Sequence, residues 1–233
     1  MMERIARAGD GLLSMLYPRQ AVCMGCGMQW GFPRQWLCED CRARLADRWV
    51  GAAPAQPDDL FDGAAFAYRY GGPVAGMVRN LKYRGIWRLG EMMGRDMARA
   101  FEAIQPTGVD CLVPVPMHPK RLKERGLNHA RTLAEAVAKP LGLEVLDVLE
   151  RTRNTPQQAR LSHEERRTNL EGAISLQADL SGRRVLLVDD VRTTGATANV
   201  CTGVLRRGGA EAVYLLCYAL ADGDGGTYDD IGG

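Results

Sequence analysis

The sequence lacks a long apolar run. No stretch approaches the ~20 consecutive apolar residues that a membrane span needs, so membrane insertion is not expected. It also lacks an excess of either charge. Thirty Lys and Arg stand against 28 Asp and Glu, a formal net charge of +2 over 233 residues. That balance excludes a generally polybasic nucleic-acid protein, though not a local basic groove. The first residues lack the shape of a secretion signal: their apolar stretch (Leu12, Leu13, Met15, Leu16) is short, and Arg19 follows at once. The chain is therefore expected in the cytoplasm. No internal repeat is visible beyond two cysteine pairs. What remains is an ordinary globular composition, 46% hydrophobic and 25% charged, enough for one large domain or a medium domain with a small module.

Seven cysteines are present, and the odd number argues against a disulfide framework. Four form two pairs, Cys23 with Cys26 and Cys38 with Cys41, with two residues inside each pair and eleven between the pairs. In a reducing compartment such knuckles read as metal ligands. A tight turn presents two thiolates, and a second turn completes a tetrahedral zinc shell. Gly25 and Gly27 flank Cys26, as a knuckle turn requires. Four Cys ligands leave no open position, so this zinc is structural. It would supply folding energy to a module too small to fold on its own core. The rival reading, a thioredoxin-like redox pair, needs a surrounding strand–helix–strand pattern that is missing here. Cys111, Cys201 and Cys217 lie in apolar surroundings and read as small buried hydrophobes.

Along the chain, residues 3–17 carry helical apolar spacing. Residues 1–50 read as that helix plus the cysteine module, and 51–60 (GAAPAQPDDL) as a linker without hydrophobic period. Residues 61–221 read as an α/β domain and 222–233 as an acidic, glycine-rich disordered tail. Within the domain, strands are expected at 64–70, 110–115, 185–188 and 212–220. Helices are expected at 89–104, from Ala130 to Leu141, and at 197–207. Strands alternating with helices argue a parallel sheet flanked by helices.

The segment Val185 to Val200 (VLLVDDVRTTGATANV) carries the strongest functional signal. An apolar strand is expected to end at Asp189 and Asp190, and a loop then opens a helix. Ligands in open α/β sheets bind at the carboxyl ends of strands. Backbone N–H groups at a helix start, with threonine hydroxyls, cradle a phosphate. Adjacent carboxylates suit a sugar diol or a magnesium shell. A Walker B strand is excluded because no GxxxxGK[ST] loop exists elsewhere. A receiver domain is excluded because too few residues follow Asp190. The plainest alternative, acids and threonines that merely cap a helix, needs one such residue rather than six consecutive ones.

This segment resembles the diphosphoribose-binding signature of type I phosphoribosyltransferases. The wider chain resembles the ComF family, named from bacterial natural competence. The likeness is carried by Leu81-Lys82-Tyr83-Arg84-Gly85, Val113-Pro114-Val115-Pro116, His118-Pro119-Lys120-Arg121 and Arg125-Gly126-Leu127-Asn128. Arg151-x-Arg153-x-Thr155, Arg166-x-x-Asn169 and the N-terminal zinc ribbon carry it further. One departure is His129, where the family usually has Gln.

The resemblance implies a type I phosphoribosyltransferase-like domain after a small zinc ribbon. It also implies 5-phosphoribosyl 1-diphosphate as ligand, with magnesium. Thr193, Thr194, Gly195, Ala196 and Thr197 would take the 5-phosphate, and Asp189 and Asp190 the ribose hydroxyls, as the central catalytic pair. Lys120, Arg121 and Arg125 would face the diphosphate, with Arg153 and Arg166 in a hood over it. Lys82 and Tyr83 would line a base pocket. The acceptor is left open. A second function class stays open beside the enzyme: a non-catalytic protein that binds single-stranded DNA and works with competence machinery. It would use the basic segments and the aromatics Trp30, Phe32, Trp36 and Trp49. The third class is an adaptor whose ribbon docks on a partner.

Overall fold

Val185, Leu186, Leu187 and Val188 are all fully buried, as an apolar strand covered on both faces must be. The computed structural model describes residues 21–30, 36–53, 57–84, 87–104, 108–152 and 172–221. The expected helix at 3–17, the tail at 222–233, Phe32, Arg153 and Arg166 lie outside them. Among the described residues the elements run β1 (Ala21–Val22), β2 (Gln29–Trp30), α1 (Glu39–Ala46), β3 (Trp49–Ala53), β4 (Gly63–Arg69), α2 (Pro73–Arg84), α3 (Trp87–Glu102), β5 (Cys111–Pro114), α4 (Pro119–Arg125), α5 (His129–Leu141), β6 (Glu144–Val145), β7 (Leu149–Arg151), β8 (Ile174–Leu176), β9 (Arg184–Arg192), α6 (Ala196–Arg207) and β10 (Ala212–Leu220).

Six strands form the main sheet in the order β3-β4-β10-β9-β5-β6. From β4 to β6 every pairing is parallel, whereas β3 runs antiparallel to β4. The sheet is therefore mixed at one edge rather than wholly parallel. The reason is local: the chain turns from β3 to β4 without a crossover helix, and such a short connection returns antiparallel. β3 runs into the stretch expected as a linker, overlapping it at Gly51–Ala53.

The strands' twofold alternation divides the core. Leu186, Val188, Leu216 and Tyr218 face α2, α3 and α5, meeting Met77, Leu81, Met93, Met97, Leu133 and Val137. Val185, Leu187, Val213 and Leu215 face α6, meeting Cys201 and Leu205. Each such aliphatic side chain contributes about 1.5–3 kcal/mol through burial. Cys111, Cys201 and Cys217 are buried as expected. α2 is an element the sequence reading did not assign. Its apolar spacing is present (Val74, Met77, Val78 and Leu81, all buried), but it lies between turn-forming residues at Gly71, Gly72 and Pro73 and contains Gly76.

Candidate functional site

The chain leaves β5 through α5 to reach β6 on one side, and leaves β9 through α6 to reach β10 on the other. Where connections part in this way, helices diverge and a crevice opens beyond the carboxyl ends of the two strands. β9 pairs with β5 only as far as Val188, and Val115 N–H donates to the Val188 carbonyl at 2.9 Å. With β10 it continues to Arg192. The edge of Asp189–Arg192 facing β5 is thus free of strand pairing.

Asp189 and Asp190 lie within β9, not after it. Consecutive strand residues point to opposite faces, so the pair straddles the sheet. Asp190 shares its face with Leu186 and Val188. Its Oδ2 is 3.0 Å from Lys82 Nζ, and both side chains are largely buried. Asp189 lies on the α6 side, where its charge reaches Arg151 and Cys201. Its Oδ1 accepts from the Asp190 N–H at 2.8 Å. Asp189 keeps some exposure, yet burial of its carboxyl, and then the Asp190 charge, push its pKa up to about 7. Two carboxylates offer the hard oxygens that magnesium takes, so the donor set fits that ion.

The loop after the acids enters α6 through Gly195, whose φ of 77° is the left-handed conformation that favours glycine. Gly195 brings no side chain to cap α6, and Thr194 Oγ1 accepts from the Ala196 N–H at a long 3.5 Å, so the first-turn N–H groups after Ala196 are available to an anion. Thr193, Thr194, Ala196 and Thr197 are all partly exposed. Arg192 does not join them. Its guanidinium is buried, and Nη2 donates to both Asp59 oxygens at 2.7 and 3.0 Å. It also lies against the rings of Phe61 and Phe66. Asn199 ties the same segment to α6, accepting from Leu60 N–H and donating to the Asp58 carbonyl, each at 3.0 Å. Residues 58–62, read from sequence mostly as linker, are the floor beneath the threonine loop. Asp58 and Asp59 gave no local sign of this, because their partners lie more than 130 positions away.

The basic segment expected as a diphosphate loop is helical in α4. His118 Nδ1 caps its start, accepting from Lys120 N–H, and Gly126 ends it in the left-handed conformation. Lys120 is exposed, and Arg125 lies over the ring of Tyr83 at 5.4 Å. Arg121 approaches Arg151, whose pKa is pushed down by burial and then by that neighbouring charge. A groove of about 510 Å³ runs beside this region, lined by Pro116, Met117, Leu127, Asn128, Arg131 and Arg151 among others. Asp189, Asp190 and the threonine loop do not line it. Trp49 is not a free stacking surface: it packs edge-on to Tyr68 at 5.4 Å, with Arg99 over its ring.

At the cysteine module the four sulfurs all lie within 4.8 Å of one another, and Cys26 Sγ is 3.9 Å from Cys38 Sγ. Tetrahedral Zn–S bonds of 2.3 Å place sulfurs about 3.8 Å apart, so the set fits zinc. Burial raises the Cys23 thiol, but backbone N–H groups of Cys26, Cys38 and Gly25 outweigh it and bring the pKa down to about 6. That favours the thiolate a metal needs.

A phosphoribosyl transferase domain model matches residues 123–231. Competence protein F of Haemophilus influenzae is 30% identical over 218 residues, 87% of this chain and 92% of that protein. The chain belongs to the ComF family. Competence protein ComFC of Bacillus subtilis is 24% identical over 206 residues, covering 86% of this chain and 84% of that one. DNA utilization protein YhgH of Escherichia coli is 31% identical over 153 residues, 64% of this chain and 67% of that one. Among solved structures, adenine phosphoribosyltransferase of Saccharomyces cerevisiae is similar with a TM-score of 0.37 and 14% identity, over 79% of this chain and 90% of that chain. The type I phosphoribosyltransferase-like fold expected from the ComF resemblance is the one observed. The four clustered cysteines are arranged as the ribbon of this ComF-family chain requires.

Proposed function

We propose that this ComF-family protein binds 5-phosphoribosyl 1-diphosphate with magnesium in the crevice between β5 and β9. The carrying observation is the placement of two carboxylates in the last residues of β9, with two residues between the strand and a glycine-started helix N-terminus, at the point where the sheet's connections part. Thr193–Thr197 take the 5-phosphate on backbone N–H groups and hydroxyls. Asp189 and Asp190 hold the ribose hydroxyls, one from each face of the sheet. Lys120, Arg121 and Arg125, with Arg153 and Arg166, meet the diphosphate. Asp189 and Asp190 would also hold magnesium, which would supply positive charge against the diphosphate. Chemistry on such a ligand is displacement of diphosphate at ribose C1, and cations near the leaving group stabilise charge as it develops. The relatives' names, competence protein and DNA utilization protein, support a role in handling incoming DNA. Single-stranded DNA is therefore the partner to test beside the small ligand.

The test is calorimetric titration of the zinc-loaded protein with phosphoribosyl diphosphate and magnesium. Wild type should bind, and Asp190→Asn should weaken binding by at least about tenfold, the loss expected from one charge-assisted hydrogen bond. A wild-type protein that does not bind defeats the reading.

A further inference from the structure

His129 is a polar ring, 1% exposed, at the first position of α5. The helix is already capped there by Asn128, whose side chain accepts from Ala130 N–H, so His129 is not needed for that purpose. Its Nε2 lies 3.1 Å from the backbone carbonyl of Lys82. A carbonyl only accepts, so Nε2 must carry the hydrogen, and Nδ1 is left as a bare acceptor. Nδ1 is buried with no hydrogen-bond partner among the described residues. A buried acceptor left unmade is costly and rare, which calls for a reason to keep a histidine rather than an apolar residue here.

The reason lies at the other end of the bond. Lys82 is in the last turn of α2, and the last four carbonyls of a helix have no partner within it. The Nε2–H of His129 satisfies one of them. The residue so fixed is the one whose Nζ reaches Asp190 at 3.0 Å. The charges of Asp190, Arg125 and Lys82 all reach His129, so the ring lies within electrostatic range of the Lys82–Asp190 pair. We propose that His129 is a positioning residue: its Nε2–H caps the last turn of α2 and thereby holds Lys82 against Asp190 in the phosphoribosyl crevice. The role rests on the reading of that crevice given above.

The full-length, zinc-loaded protein tests this with two readouts. The first is hydrogen exchange of the backbone amides in the last turn of α2, without ligand. His129→Leu keeps the bulk but removes the donor, and should speed that exchange by about tenfold, the worth of one hydrogen bond. His129→Gln, whose amide can donate to the same carbonyl, should restore protection. His129→Asn, polar but too short to reach, should behave like the leucine variant, and serves if that variant does not fold. The second readout is affinity for phosphoribosyl diphosphate with magnesium. His129→Leu and Lys82→Met should each weaken it by about tenfold, and the double variant should be no worse than Lys82→Met alone, because both remove the same interaction. Unchanged exchange in His129→Leu overturns the proposal. So does a glutamine variant no better than leucine, or losses that multiply in the double variant. Absence of binding in wild type would instead sink the phosphoribosyl reading, and the exchange arm would still decide the cap.

Discussion

Arg192 shows how a single residue inside the proposed phosphate-binding segment can do structural work. It stands between the acidic pair and the threonine loop, where its charge invites a phosphate role. The structure turns it inward onto Asp59, with side-chain exposures of 7% and 3%. A Cβ at Gly195 would press on this same guanidinium, so the buried pair and the loop glycine fit one another. Removing one member of a buried pair takes from the other its opposite charge. Arg192→Ala should therefore cost about 3–5 kcal/mol in urea unfolding, and Arg192→Ala combined with Asp59→Ala should cost less than the two single losses together. A loss below about 1 kcal/mol would show that the pair behaves as a surface pair. The acids next to it were legible as residues but not as geometry. Had the strand been read through to Arg192, its period of two would have separated Asp189 from Asp190 onto opposite faces.

At the scale of elements, α2 joins two regions that the sequence keeps apart. Its middle carries the cysteine knuckle: Asn80 Nδ2 donates to the Met24 carbonyl at 2.8 Å, and Gly76 packs against the Gly25 carbonyl. Its last turn carries Lys82 to Asp190. In an exposed helix, Gly→Ala stabilises by about 0.5–1 kcal/mol. At Gly76 the added methyl would collide with the Gly25 backbone, so the sign reverses. Gly76→Ala should lower stability by about 1–3 kcal/mol and speed zinc loss to a chelator. Gly203→Ala, in α6 with only ordinary contacts around the new methyl, should keep the stabilising sign. Thermal melts and chelator release of both variants check this, and equal behaviour would contradict the packing argument. The remaining helices show what periodicity can carry: the helices expected at 89–104 and 130–141 lie at Trp87–Glu102 and His129–Leu141. The short strands β6, β7 and β8, of two or three residues, are too brief for any period to register.

Over the whole molecule, the cysteine module and the α/β sheet share one apolar core. Cys23, Leu37, Cys41 and Leu45 belong to the same buried cluster as Met77, Leu81, Leu133 and Tyr218. Stripping zinc should therefore lower the melting temperature of one cooperative transition. Two resolved transitions, one unmoved by chelation, would show that the module melts alone; differential scanning calorimetry with and without chelator separates these outcomes. The sequence alone determined the cysteine cluster, the acid-and-threonine segment, the helices α3, α5 and α6 and the central strands, because spacing, periodicity and turn chemistry are local and are written in neighbouring residues. It could not pair Lys82 with Asp190, His129 with Lys82, Arg192 with Asp59, or Asn80 with Met24. Those contacts join positions 47 to 133 residues apart, and no local pattern encodes a partner at that distance. They arise only when the folded sheet and its crossover helices bring remote segments together, and the carboxyl edge where Lys82, Asp190 and His129 meet is where the proposed ligand site lies.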